Sequence, residues 1–104
     1  MKIIKITLGD YLRKLRKDRT LHEVTMGTNI QTSMLSRIES GERLPTLEQV
    51  KRLSKFYNVS EDILVTKRTM EKIIEIHGAN KITFAAIKEL NINFLTFARK
   101  LKSK

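Results

Sequence analysis

The sequence predicts an all-α protein with five short helices and a C-terminal helical extension. Apolar residues recur at spacings of three and four along most of the chain, which is the helical period. Threonine, serine or asparagine stands before several of these stretches, where such residues cap helices. The exception is the N-terminus, where Ile3, Ile4 and Ile6 could form a short strand that pairs with a second subunit, or a tail that packs on the first helix.

Length, charge and cysteine content limit the possible functions. The chain has 104 residues, enough for one small helical domain with an appendage but not for two independent domains. A formal net charge of +10 indicates a polyanionic partner, whether nucleic acid, acidic protein or anionic membrane, and a highly soluble surface is the equal alternative. The absence of cysteine excludes disulfides, thiolate metal sites and thiol catalysis. No apolar run has the length of a signal-peptide core or a membrane span, so we expect a cytoplasmic protein.

Two capping patterns predict the first two helices. Thr7, with Asp10 three residues later, predicts a helix start at residue 8. The residues that this helix directs inward are Leu8, Leu12 and Leu15. Thr20 and Glu23 have the spacing of a capping box, which predicts a second helix over about residues 21–28.

The third helix has two faces of different character. Asn29 interrupts the second helix, and side-chain oxygens for a new helix start are offered by Gln31, Thr32 and Ser33. Leu35 and Ile38 give the new helix one apolar stripe, whereas small, polar and cationic side chains occupy its other faces. A helix that reads the DNA major groove has this layout, with one face suited to packing in a core and another suited to outward hydrogen bonding. Gly41 is predicted to end this helix.

Two further helices complete the predicted domain. Thr46, with Gln49 three residues later, predicts the start of the fourth helix, and Asn58 its end. Ser60 is predicted to cap the fifth. The inward-facing residues predicted for these helices are Val50, Leu53, Phe56 or Tyr57, Ile63 and Leu64.

The segment Ser36-Arg37-Ile38-Glu39-Ser40-Gly41-Glu42-Arg43-Leu44-Pro45 resembles the helix-turn-helix module of the Xre family, which includes the phage lambda-type repressors and Cro proteins. The resemblance implies a lambda-repressor-like five-helix DNA-binding domain over residues 7–66, followed by an extension over residues 67–104 that we predict to dimerise. It also implies that Arg16 pairs with Glu39, a structural role that we favour because a buried glutamate needs a cation. The second helix departs from the family pattern at Thr25 and Gly27.

The same resemblance implies which residues contact DNA. The predicted base-reading residues are Thr32, Ser33, Met34, Ser36 and Arg37. Among them only Arg37 can donate two parallel hydrogen bonds to a guanine. The predicted phosphate contacts are Thr20, His22, Gln31 and Arg43. Pairing of Arg43 with Glu39 or Glu42 is the alternative to its phosphate contact.

The extension divides at residues 78–80. An apolar helix over residues 70–76 could continue the fifth helix, and Thr83 is predicted to cap a last helix reaching about Lys100. Its apolar residues, here named the C-terminal stripe, are Ile87, Leu90, Phe94, Phe97 and Leu101. Packing of the C-terminal stripe on a second copy is favoured over folding back on its own domain, because helix-turn-helix proteins generally bind operators as symmetric dimers. Asn91 and Asn93 either fix the register of this interface or mark a helix break.

We therefore predict a sequence-specific DNA-binding transcriptional regulator that reads an inverted-repeat operator as a homodimer, with repression favoured over activation. The alternative is a protein-interaction module, such as an antitoxin or adaptor, that binds a protein partner through its C-terminal helix. An enzyme is not expected, because His22 and His77 lack neighbours at metal-ligand spacing and no nucleophile or phosphate-loop motif occurs. We accordingly predict double-stranded DNA as the partner, with no cofactor, no metal and no membrane contact.

Overall fold

A computed structural model describes residues 7–102, and these residues form six α-helices. The helices are α1 (Leu8–Arg16), α2 (Leu21–Thr28), α3 (Thr32–Ser40), α4 (Leu47–Tyr57), α5 (Glu61–His77) and α6 (Lys81–Lys102). The described chain contains no strand, which confirms the all-α prediction, and the possible strand over residues 3–6 lies outside the described residues. None of the described helices is both long enough and apolar enough to cross a membrane.

The chain divides into two compact units, one ending at residue 72 and the other beginning at residue 73. The first contains α1 to α4 and most of α5, and the second contains the end of α5 and all of α6. The predicted junction between residues 66 and 67 falls inside α5, which continues without interruption to His77.

Capping side chains begin three helices at the predicted positions. Thr7 Oγ1 accepts a hydrogen bond from the backbone N–H of Asp10 at 3.0 Å. Complete capping boxes are formed by Thr20 with Glu23 and by Thr46 with Gln49. Gln31 precedes α3 but its side chain makes no capping hydrogen bond, so the start of α3 is held by other contacts.

Left-handed backbone ends three helices where the sequence predicted an end. Asn29, Gly41 and Asn58 have φ values of 61°, 83° and 55°. Glycine and asparagine adopt this conformation more readily than other residues. Lys17 also has a positive φ, 51°, and turns the chain out of α1 into a connection of only four residues before α2.

Nine apolar side chains from all five helices of the first unit and the α2–α3 turn form its core. They are Leu8, Leu12, Val24, Ile30, Leu35, Ile38, Val50, Leu53 and Leu64. Leu15, Phe56 and Tyr57 are partly buried against this core. The prediction that Ile63 helps to close the core is wrong, since its side chain is 43% exposed and Leu64, one residue later, faces inward.

Two glycines allow close approach between helices. A Cβ on Gly9 would lie 2.5 Å from the backbone oxygen of Glu39 and 2.6 Å from that of Ile38, so α1 lies directly against the end of α3. A Cβ on Gly27 would overlap the ring of Phe56. The departure from the family pattern at Gly27 therefore has a packing reason, because the Phe56 ring occupies the space of the missing side chain.

Within the second unit, the turn between α5 and α6 has different capping from that predicted. Gly78 has a φ of 85°, and Asn80 Oδ1 accepts a hydrogen bond from the backbone N–H of Thr83 at 2.9 Å. The prediction that Thr83 caps the last helix is therefore wrong: Asn80, an equally good capping residue, follows the Gly78 turn directly and begins the helix earlier. Thr83 is buried in the first turn, and its hydroxyl donates to the backbone oxygen of His77 at 3.1 Å.

The last helix is continuous through both of its central asparagines. Asn93 Nδ2 donates to the backbone oxygen of Glu89 at 2.9 Å, within the helical ladder, and α6 reaches Lys102. The interpretation of Asn91 and Asn93 as a helix break is therefore wrong.

Gly9→Ala is expected to lower the free energy of unfolding by about 1–3 kcal/mol, because the added methyl group meets backbone atoms of α3. The preference of helices for alanine, about 1 kcal/mol, offsets only part of this loss. Gly27→Ala is the comparison, with a smaller loss expected because its Cβ would meet the Phe56 side chain rather than backbone atoms. Urea unfolding followed by far-UV circular dichroism measures both, and a Gly9→Ala protein as stable as the wild type would contradict the packing argument.

Candidate nucleic-acid interface

A rigid turn between α2 and α3 sets the direction of α3. Thr28 Oγ1 donates to the backbone oxygen of Val24 at 2.7 Å and accepts from the backbone N–H of Ile30 at 3.2 Å. Thr28 and Ile30 are both buried, while Asn29 between them carries the left-handed turn. Because the polar groups of this turn are satisfied inside the unit, the turn holds α3 at a defined angle to α2.

The faces of α3 separate as the sequence predicted. Leu35, Ile38 and Glu39 are buried against the first unit. Most of the predicted base-reading residues are exposed, namely Thr32, Ser33, Ser36 and Arg37. Met34 differs from them, since it is partly buried and packs against the core. The face that α3 presents to solvent is therefore made chiefly of hydroxyl groups and one guanidinium.

Thr25 contacts the first residue of α3. Its Oγ1 lies 3.0 Å from Thr32 Oγ1, so one hydroxyl donates to the other across the α2–α3 junction. The contact holds the Thr32 side chain in one orientation at the N-terminus of α3. The sequence singled out Thr25 only as a departure from the family pattern, because a pair seven residues apart in two helices has no local signal.

Arg37 forms an exposed ion pair with Glu42. Arg37 Nε lies 3.5 Å from Glu42 Oε2, and the two side chains are 53% and 69% exposed. Exposed pairs of this kind contribute little free energy, about 1 kcal/mol or less. The guanidinium can therefore exchange this carboxylate for another acceptor at small cost.

The residues predicted to contact phosphate lie at helix N-termini and in the loop after α3. Thr20, His22, Gln31 and Arg43 are all exposed. The Thr20 hydroxyl already accepts from the backbone N–H of Glu23 at 3.1 Å. The alternative pairing of Arg43 is not observed, and within residues 7–102 its side chain makes no ion pair.

A buried ion pair fixes the other end of α3. Arg16 donates from Nε to Glu39 Oε2 at 2.8 Å and from a terminal nitrogen to Glu39 Oε1 at 2.9 Å. Its remaining terminal nitrogen donates to the backbone oxygen of Arg19 at 2.8 Å. The hydrogen bonds with Glu39 raise the pKa of Arg16, although burial of the guanidinium acts in the opposite direction. The predicted pairing of Arg16 with Glu39 is confirmed.

Two comparisons with known proteins bear on this arrangement. A sequence model of the helix-turn-helix family matches residues 11–64, just over half of the chain. The HTH-type transcriptional regulator ImmR of Bacillus subtilis (strain 168) is 34% identical to the chain over 87 residues, which cover 82% of this chain and 68% of ImmR. The chain belongs to the Xre family of helix-turn-helix transcriptional regulators. No solved structure matches it significantly.

Outside α3, one cation of this Xre-family protein lies over two neighbouring aromatic rings. The Arg19 guanidinium carbon lies 5.4 Å from the ring centre of Phe56 and 6.0 Å from that of Tyr57. Burial raises the pKa of Tyr57 to about 12, the Glu39 carboxylate acts in the same direction, and Arg16 and Arg19 oppose it. The Arg19 guanidinium is thus positioned against α4, and Tyr57 remains neutral at physiological pH.

The described chain lacks the side-chain clusters of a metal centre. Across residues 7–102 no three histidine, cysteine, aspartate or glutamate side chains lie close enough together to hold a metal ion. The chemistry that this Xre-family surface offers is hydrogen bonding and charge attraction, from hydroxyl groups, guanidinium groups and helix N-termini.

Arg16→Ala is expected to lower the free energy of unfolding by about 3–5 kcal/mol, because the carboxylate of Glu39, whose side chain is only 6% exposed, would lose both hydrogen bonds from the guanidinium. Arg13→Ala is the matched control: its Nε lies 3.7 Å from the same carboxylate but its side chain is 69% exposed, so stability close to that of the wild type is expected. Urea unfolding of the three proteins measures the difference. Equal losses in the two variants would mean that the bidentate geometry contributes nothing.

Proposed function

We propose that the protein is a sequence-specific transcriptional regulator that binds an inverted-repeat operator as a homodimer and represses the adjacent promoter. The observation that carries this proposal is the division of α3 into a buried apolar face and an exposed face of hydroxyl groups and one guanidinium. ImmR, the relative described above, is named as a transcriptional regulator, which supports the same class of function.

Base recognition is assigned to the exposed face of α3. Arg37 would leave Glu42 and donate two hydrogen bonds to a guanine, a contact that contributes about 1–3 kcal/mol of discrimination. The hydroxyl groups of Ser33 and Ser36 can donate to or accept from base edges. The methyl groups of Thr32 and Met34 would contact the methyl group of thymine. Only the exposed part of Met34 is available for this contact.

Phosphate contacts would hold α3 in its register on the duplex. The N-termini of α2 and α3 offer backbone N–H groups near Thr20, His22 and Gln31, and anions bind favourably at such ends. Arg43 is exposed in the loop after α3 and makes no ion pair with the described residues. The net charge of +10 supports an affinity for DNA that falls steeply with salt concentration.

A homodimer would bring two α3 helices to successive major grooves. The half-sites of such operators lie about one turn of B-DNA apart, roughly 34 Å. The surface proposed for the dimer is the C-terminal stripe, whose five side chains are between 41% and 56% exposed in the single chain. Apolar side chains exposed in a row generally mark an interaction surface.

The same stripe supports the second candidate function, a module that binds another protein through α6. In that case α3 would have no sequence preference, and the association of the protein with its partner would depend on the C-terminal stripe. The two functions are separated by testing DNA preference and self-association independently.

Selection from a random DNA pool by the purified protein is expected to enrich an inverted repeat containing a guanine contacted by Arg37. Arg37→Ala should reduce the preference for that guanine by about 5- to 150-fold, the equivalent of the lost base contact. Arg52→Ala is the matched control, because Arg52 makes a similar exposed pair with Glu48, at 3.2 Å, on α4. Strong binding at low salt without an enriched sequence would exclude the proposed function in favour of attraction by charge alone.

Phe94→Asp is expected to convert the dimer to a monomer, raising the dimer dissociation constant by about 100-fold or more, because dimerisation would bury a charge. Leu95→Asp is the control, since Leu95 is 69% exposed and lies outside the C-terminal stripe, and little change is expected. Sedimentation equilibrium measures both constants. A wild-type chain that stays monomeric at micromolar concentration would exclude the homodimer.

A further inference from the structure

The two ends of the C-terminal stripe have different surroundings. At the N-terminal end of α6 the second unit has an open groove of about 490 Å³, lined mainly by apolar groups. Its lining includes Ile73, His77, Thr83, Ala86 and Leu90. At the C-terminal end the stripe instead carries Phe97 and Leu101, which are 53% and 54% exposed. The second unit thus has, at one end of α6, an apolar groove formed with the end of α5 and, at the other end, side chains of the kind that would fill it.

We infer that two copies of the protein pair their α6 helices in antiparallel orientation, so that each groove receives Phe97 and Leu101 of the other copy. The inference rests on the homodimer proposed above and specifies its geometry. A two-fold axis gives both copies the same environment. One antiparallel contact therefore covers both ends of the stripe on both chains at once, whereas a different occupant of the groove would leave Phe97 and Leu101 exposed.

The spacing of the stripe agrees with this pairing. Together with Thr83 its residues lie at alternating intervals of four and three, which place one row along α6. An antiparallel alignment centred between Leu90 and Phe94 sets Leu90 of each copy opposite Phe94 of the other. The same alignment sets Ile87 opposite the partner's Phe97 and the small Thr83 opposite the partner's Leu101. Each large side chain therefore meets a smaller or differently shaped one, which favours close packing.

A parallel pair would be less favourable in packing and in charge. Each phenylalanine would lie opposite its own copy, and both grooves would remain empty. The cations of the last turn, including Arg99 and Lys102, would also lie side by side. In the antiparallel pair each of these cations lies about 20–30 Å along the axis from its own copy, which exceeds the screening length of roughly 8–10 Å.

The positions of the two central asparagines agree with the two-fold axis of the antiparallel pair. Asn91 and Asn93 are exposed on opposite edges of the stripe, one residue on either side of its midpoint. In an antiparallel pair each edge of one helix faces the same edge of the other, so each asparagine lies near its own copy. A carboxamide both donates and accepts hydrogen bonds, so two copies can bond to each other.

Disulfide formation tests the orientation directly, because the natural chain has no cysteine. Full-length Ile87→Cys and Phe97→Cys proteins are prepared separately, mixed in the reduced state and oxidised mildly, and the products are separated by mass. The inference predicts that the mixed disulfide exceeds either symmetric disulfide by about tenfold or more. Symmetric products are disfavoured because two copies of the same position lie about 15 Å apart along the axis, too far for a disulfide.

Leu95→Cys mixed with Ile87→Cys is the control for random collision, since Leu95 lies off the stripe. Sedimentation of each reduced variant establishes that it still dimerises before it is oxidised. A predominance of the symmetric Phe97→Cys product would overturn the antiparallel orientation, and mixed disulfide no greater than in the control would overturn the contact itself. Because DNA selection uses the unmodified chain, an operator recovered alongside a failed disulfide test leaves the proposed function standing and rejects this inference alone.

Discussion

The bidentate pair between Arg16 and Glu39 is the constraint on which the position of α3 depends. Glu39 is almost completely buried, and a carboxylate in such a place is strongly unfavourable unless a cation satisfies it. Arg16 supplies that cation and also binds the backbone oxygen of Arg19, so one guanidinium joins α1, α3 and the α1–α2 connection. Close approach of the helix backbones at Gly9 places the two helices near enough for this contact.

The two ends of α3 are held by different means. Its C-terminal end is held by the ion pair and by the left-handed turn at Gly41, and its N-terminal end by the buried Thr28 hydroxyl and the contact between Thr25 and Thr32. No side chain caps α3 at Gln31, which leaves the first N–H groups of the helix without a side-chain acceptor there. Such an end is suited to an external anion, and a DNA phosphate is the anion that the proposed function supplies.

The exposed apolar side chains of the described residues are concentrated on α6. The first unit has a well-formed core and an exposed polar face on α3, whereas α6 has Thr83 as its buried residue and carries many exposed apolar side chains. A helix of this kind gains stability mainly from tertiary or quaternary packing rather than from its own hydrogen bonds. The proposed pairing of two α6 helices would therefore stabilise the C-terminal extension and, through the same contact, join the first units of the two copies.

The sequence by itself determined the helices, because caps and left-handed turns act over three or four residues and leave a local pattern. Thr7, Thr20, Thr46, Gly41 and Asn58 are examples of positions where the residue type was sufficient. It also determined the division of α3 into an inner and an outer face, and the family to which the chain belongs. At residues 79–83 two capping residues competed, and the choice of Asn80 over Thr83 depended on the turn that precedes them.

Only the tertiary structure decided the contacts between elements. Helix packing angles and side-chain rotamers decide four features of the first unit. These are the partial burial of Met34, the exposure of Ile63, the pairing of Arg37 with Glu42 and the placement of Arg19 over two aromatic rings. The apolar groove beside Thr83 likewise exists only because the Gly78 turn brings the end of α5 against the start of α6. Such contacts join residues whose spacing in the sequence follows no helical period. They form only when folding packs the helices against one another.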